Sequence, residues 1–211
     1  MNTHLDELFN DEKLVTSIKN QLPKLFRMAE IESFRAGKIG MQVGYIREDI
    51  LISLLIYKFG EPSINTNIPK SETEVDTKLF GKPISIKTIT GKSLSGVKLV
   101  WTVDAKNAIN FQKNYVPSCD LLFAQIIWGN EGGLYYVPNE IQCSLLKRIG
   151  CERYIKLPKA GTNPRGAEIT KEALSTLISA NETKCIKINW QKPEINYNLF
   201  KRWVEYWNEE Q

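Results

Sequence analysis

The sequence predicts a mixed α/β domain, a mixed β-sheet with helices on both sides, and three features predict it. Helix-spaced apolar residues dominate up to Phe59, before any strand signal. Two short β-type segments then follow, Glu74–Phe80 and Ile84–Thr90, joined at Gly81–Pro83. Finally Asp120–Trp128 is a near-continuous apolar run of the kind that fills a central strand buried on both faces. The 211 residues are read as a single domain, long enough to bury a substantial core.

Taken in order, residues 5–34 read as helical with a break near Pro23, and Leu5, Leu8, Phe9, Leu14 and Ile18 fit one face. Arg35–Gly40 reads as a small basic linker. Val43–Phe59 reads as a long, largely buried helix with Ile46, Ile50, Leu54 and Tyr57 at helical spacing and Leu51 and Leu55 alongside. Gly60 and Pro62 end it. After the hairpin come a third strand at Val97–Thr102, a helix at Asp104–Tyr115 carrying Ala105, Ala108, Ile109 and Phe111, the central strand, and a fifth strand at Gly133–Val137. The last third reads as a short helix at Asn139–Ile149, a turn-rich loop at Lys156–Ile169, a helix at Lys171–Ser179, a strand at Lys184–Asn189, and an amphipathic helix within Tyr197–Glu209 that spaces Leu199, Trp203 and Trp207.

Composition excludes much. The single histidine, His4, lies in the N-terminal tail, which rules out Ser-His-Asp and Cys-His machinery and His-rich zinc sites. Catalysis would have to use carboxylates, lysines and a hard metal. The four cysteines form no CxxC pair and suit reduced thiols in the cytoplasm. The start of the chain is polar and acidic, unlike a signal peptide, and Ile50–Tyr57, the longest apolar run, is too short to span a bilayer. The net charge is +4. No acidic residue falls between Asp76 and Asp104, whereas Lys78, Lys82, Lys87, Lys92 and Lys98 do. Such a stretch suits a polyanionic partner, and equally a solvated strand edge guarded by lysines.

The segment Glu74–Thr88 carries the chemistry. Asp76 and Lys87 fall on the two strands of the hairpin, close enough to hold one metal ion and one water. A strand-borne aspartate suits Mg²⁺. The metal would acidify its bound water and neutralise a scissile phosphate, and the lysine would orient that water and stabilise the transition state. Ser85 stands two residues before the lysine, where a second carboxylate is usual, so another acid must come from elsewhere. Glu48, one turn into the long helix, is its natural source, with Asp49 on the solvent side. An acid in a first turn also suits the helix dipole, and alone that is the commoner reason for one. Beside Asp76 and Lys87 the catalytic reading is the better one.

At these residues the sequence resembles the PD-(D/E)XK nuclease superfamily and, within it, the ThaI-type restriction endonucleases. The resemblance covers most of the chain, and it departs from the superfamily pattern at Val75 and at Ser85. The ThaI-type group uses a helix glutamate, a strand aspartate and a lysine, which match Glu48, Asp76 and Lys87. It implies a catalytic core over about residues 41–137, with residues 138–211 adding a DNA-contact loop and helices. It also implies a type II enzyme that works as a homodimer with Mg²⁺ and cuts double-stranded DNA bluntly at CG/CG, leaving 5′-phosphates. The group pushes a methionine into a base step from the minor groove, and the matching residue is Met41. Apolar wedges unstack steps from that side, and CpG is an easily opened pyrimidine–purine step. Packing beneath the helix start would account for Met41 as well.

Guanine is usually read by Arg or Lys. The segment Lys159–Glu168 offers Arg165, at what reads as the start of a helix, as the first candidate for a DNA contact, with Asn163 and Lys159 behind it. An ordinary turn before a helix, with Glu168 near its N-terminus, would look the same. Lys92, Ser93 and Ser95, on the turn after the catalytic strand, are candidates for phosphate or base contacts. The tryptophans read mostly as core, with Trp203 and Trp207 serving a dimer or packing role. Two other functions fit the same core: a structure-selective repair nuclease or junction resolvase, and a DNA-binding module that does not cut.

Overall fold

The computed structural model describes residues 3–35, 38–39, 42–69, 71–101, 104–159, 166–198 and 200–209. Helices α1 (Thr3–Asn10) and α2 (Glu12–Glu32) open the chain, and the break between them falls at Asp11, not near Pro23. Asp11 caps α2, its carboxylate accepting from the Leu14 amide at 3.0 Å, which satisfies one of the amides left open at a helix start. Pro23 lies buried inside α2. It forfeits one helical hydrogen bond, but Ile18, Leu22 and Phe26 on the same helix are all buried in the core and hold it continuous.

The segment read as a basic linker carries a two-stranded ribbon, β1 (Phe34–Arg35) and β2 (Lys38–Ile39). Helix α3 (Val43–Phe59) has the predicted bounds, and Gly60 ends it at φ +81°. Its buried face differs from the expected one. Arg47, Leu51 and Leu55 are buried, whereas Ile46, Ile50 and Leu54 are half-buried and Tyr57 is 78% exposed. Both stripes are apolar in sequence, so helical spacing alone could not choose between them.

Next come β3 (Ile64–Asn65), β4 (Thr77–Leu79) and β5 (Lys82–Thr90), paired antiparallel in turn. The hairpin turn is Phe80-Gly81, with φ +47° and +78°, the sign pattern of the two-residue turn that matches strand twist. It is not Gly81–Pro83: Pro83 is inside β5, opposite Lys78. A bulky residue at positive φ is strained. Here the Phe80 ring lies 4.3 Å from that of His4 and 6.1 Å from that of Phe59.

The remaining elements are β6 (Lys98–Trp101), α4 (Ala105–Asn114), β7 (Asp120–Ile126), β8 (Glu131–Val137), α5 (Asn139–Ile149), α6 (Cys151–Tyr154), β9 (Ile155–Lys156), β10 (Gly166–Ile169), α7 (Lys171–Ile178), β11 (Lys184–Asn189) and α8 (Lys201–Glu209). The main sheet runs β11-β8-β7-β5-β4-β3, with β5 and β7 parallel and every other pair antiparallel. Every residue of β7 is buried, as the apolar run predicts. Alternate β7 side chains feed two cores. Leu122, Ala124 and Ile126 pack with α1, α2 and α3, and Leu121 and Phe123 pack with α5, α6 and α7.

Strand β6 is not a third strand of this sheet. It pairs with β10, and β10 with β9, in a separate three-stranded sheet. The end of the segment read as a turn-rich loop is therefore strand, with Ala167 and Ile169 buried. Gly166 permits the close pairing, because a Cβ there would lie 2.9 Å from the Val100 carbonyl oxygen. Helix α4 buries Ala108 but leaves Ile109 exposed.

Candidate active site

Strand β4 begins at Thr77, opposite Ile84, whereas β5 continues to Thr90 and from Ser85 onward pairs with β7 alone. Asp76 sits at this corner. Its amide donates to the Ile84 carbonyl at 2.9 Å. Its carboxylate Oδ2 then takes the place of the missing strand by accepting the Ile86 amide at 2.6 Å, so that a backbone donor at the end of the ladder is satisfied. The same oxygen accepts from Lys87 Nζ at 2.7 Å and from Ser85 Oγ at 3.3 Å. Asp76 is thus fixed in orientation, and the expected meeting of Asp76 and Lys87 across the hairpin is present. Ser85 occupies the position where a second acid is usual and acts as a donor to the first.

Glu48 projects from α3 toward the same two groups. Burial, together with the negative charges of Asp76 and Asp49, pushes its carboxyl up from the usual range to about 7, although the Lys87 ammonium pulls the other way. Asp49 is exposed, as its sequence position suggests. A carboxyl raised to about 7 can lose its proton near neutral pH when a cation displaces it. Among the described residues no cluster of three or more His, Cys, Asp or Glu is placed to hold a metal. The protein's donors to a hard cation would be the two carboxylates of Glu48 and Asp76. This set fits Mg²⁺, which keeps several waters and commonly takes one or two carboxylates plus substrate phosphate.

Glu74 braces the Asp76 segment from behind. It is buried, and its carboxylate accepts the Tyr115 hydroxyl and the Ser118 hydroxyl and amide, the latter two at 3.0 and 3.4 Å. Burial raises its pKa, and the bonds from Tyr115 and Ser118 oppose the rise. In the sequence Glu74 reads only as the start of a strand, and Arg47 carries no assigned role. Arg47 is nonetheless 3% exposed, and a signal for it existed: an arginine in one helical row with Leu51 and Leu55 marks a buried charge that needs partners.

The remaining site expectations divide. Lys92, Ser93 and Ser95 are exposed on the turn after β5, with Ser93 Oγ 2.7 Å from Ser95 Oγ. Gln125 steadies this turn by donating to the Gly91 and Lys92 carbonyls at 3.2 and 3.4 Å. Lys159 is exposed at the rim of a cleft that also takes in Lys98, Lys156 and Glu168. Glu168 lies in β10 between Lys98 and Lys156, at 3.2 and 3.3 Å, and not at a helix N-terminus. Met41, Asn163 and Arg165 lie outside the described residues, and the element that begins at Gly166 is a strand rather than a helix. Trp190 is core, whereas Trp203 and Trp207 are exposed on α8. The four cysteines are free thiols, and no helix among the described residues is long and apolar enough to cross a membrane.

Comparison with known proteins adds independent findings. The chain matches the family model described as restriction endonuclease ThaI over residues 8–209. A solved structure described as "Restriction endonuclease in complex with substrate DNA" is similar at a TM-score of 0.90 and 52% identity, covering 98% of this chain and 99% of that one. No curated protein matches at a significant level.

Proposed function

The chain belongs to the restriction endonuclease ThaI family and is a type II restriction endonuclease, and from that premise we propose that Glu48, Asp76 and Lys87 hydrolyse double-stranded DNA with Mg²⁺ at CG/CG, leaving blunt ends and 5′-phosphates. The observation that carries this reading is the Asp76–Lys87 pair at 2.7 Å with Glu48 within the electrostatic reach of both. The solved relative, bound to its substrate DNA, supports DNA as the partner.

Glu48 and Asp76 would hold Mg²⁺, whose chemistry there would be an acidified water and charge neutralisation at the scissile phosphate. The rest is done by the protein. Asp76, held by three donors, presents its carboxylate in one orientation. Glu48 would meet the cation as its carboxylate. Lys87 orients the attacking water and places its positive charge where the phosphorane oxygens gather negative charge. Around this centre Met41 wedges the base step open. Arg165, with Asn163 and Lys159 behind it, contacts the DNA, and Lys92, Ser93 and Ser95 contact its phosphates or bases. The whole chain acts as one PD-(D/E)XK domain in the cytoplasm.

A palindrome calls for a two-fold symmetric pair of protomers. The described surface that supports pairing is α8 and the residue before it, where Phe200, Val204 and Trp207 follow a helical spacing and are 67, 53 and 78% exposed. Apolar stripes of this kind mark contact surfaces. Digestion of unmethylated DNA with Mg²⁺, with sequencing of the product ends, tests the reading. Blunt ends within CGCG are expected. Discrete ends at another palindrome would discard the site, and cutting confined to branched DNA would replace the reading with a structure-selective nuclease.

A further inference from the structure

We propose that Arg47 is a positioning residue for this reaction: its buried guanidinium ties the helix that carries Glu48 to the strand that carries Lys87. The inference rests on the catalytic reading of those two residues.

Arg47 Nη1 donates to Thr90 Oγ1 at 2.8 Å, and Nη2 donates to Glu30 Oε1 at 2.9 Å. Thr90 is the last residue of β5, three beyond Lys87, and Glu30 belongs to α2. One planar group therefore joins three elements. Its anchor is itself over-determined. Glu30 is 1% exposed and also takes Trp128 Nε1 at 2.6 Å, Arg27 at 3.4 Å and Lys192 at 3.5 Å. The guanidinium lies 5.4 Å from the centre of the Phe26 ring.

Stability alone is a poor reason for this arrangement. Buried ion pairs are matched or exceeded by apolar side chains of like volume, and Arg47 Nε is buried with no hydrogen-bond partner among the described residues. Geometry is a better reason. The apolar part of the helix–sheet packing, where Leu51 and Leu55 share one core with Ile84 and Ile86, is non-directional. A catalytic constellation must be held to within about 0.5 Å, which a forked, directional donor supplies. Thr90 leads into the Gly91–Lys92 turn, but that turn is held separately by Gln125.

The test uses the full-length enzyme in single-turnover cleavage of a CGCG duplex, with DNA affinity measured separately in Ca²⁺. Thr90→Val removes the acceptor at an exposed position, at some cost in melting temperature because an N–H of the buried guanidinium loses its partner. At a temperature where the variant is fully folded, the expected result is a rate lowered by about 10- to 100-fold with unchanged affinity. Thr90→Ser should restore the rate. Arg47→Lys should lose as much, and adding Thr90→Val to it should cost nothing further. A Thr90→Val enzyme that cuts at the wild-type rate, or a double variant whose losses multiply, would overturn the proposal. Glu48→Gln separates the two readings: if it too cuts normally, the catalytic assignment itself has failed, and if it alone is inactive, only the positioning role has.

Discussion

Lys87 Nζ and Asp76 Oδ2 lie 2.7 Å apart across the end of a hairpin, both largely buried. The pair couples the charge that would hold a metal to the charge that would meet the phosphate. Removing either partner leaves the other exposed to an unbalanced field.

Lys87→Ala should therefore separate binding from chemistry. The expected outcome is retained affinity for cognate DNA in Ca²⁺ and cleavage in Mg²⁺ lowered by about 10²–10³-fold. Fluorescence anisotropy and a quenched-flow time course check the two halves. Loss of binding along with cleavage would give Lys87 a role in recognition instead.

Glu48 makes stability depend on pH in a defined direction. Its folded pKa of about 7 lies above its ordinary 4.5, so the folded state holds the proton longer. Stability from this group is complete below pH 4.5 and is lost as pH rises through 7. Glu48→Gln should leave metal-free protein unchanged near pH 4.5 and stabilise it at pH 8 by about 1–3 kcal/mol. Chemical denaturation in EDTA at both values measures this. The same proton competes with cation, so half-saturating Mg²⁺ for cleavage should fall between pH 6 and pH 8.

The two stripes of α3 should differ sharply in their response to truncation. Leu55 is fully buried, and Leu55→Ala should cost about 2–5 kcal/mol. Tyr57→Ser, on the exposed stripe, should change stability by less than about 0.5 kcal/mol. Urea midpoints at constant m-value decide it.

On α8, Trp207→Glu places a charge in the exposed apolar stripe. If two copies meet there, sedimentation equilibrium should show the variant as monomer at concentrations where the wild type is dimer. Double-strand cleavage should fall with it. A dimer unaffected by this change would move the interface elsewhere.

Much of this was legible in the sequence, for identifiable reasons. The meeting of Asp76 with Lys87, and the nearness of Glu48 to both, could be anticipated because the near-absence of histidine leaves few groups able to do phosphoryl chemistry. Strand β7 could be found because a strand buried on both faces has no polar period to hide. The misses share a cause in long-range packing. Pro23 stays helical because the core holds its neighbours. Which stripe of α3 faces the sheet is decided by the sheet. Strand β6 leaves the main sheet for β10, whose residues 166–169 are remote in sequence. Arg47 was invisible as a tether because its partners Glu30 and Thr90 are 17 and 43 residues away.

The central claim is that Glu48, Asp76 and Lys87 form one catalytic unit. Its most direct test is single-turnover cleavage of a CGCG duplex by the wild type, by Glu48→Gln, Asp76→Asn and Lys87→Ala, and by the triple variant. Groups acting together predict that each single change removes nearly as much activity as all three, while the Ca²⁺-dependent DNA complex survives in Lys87→Ala. A single variant that retains the wild-type rate would contradict the account.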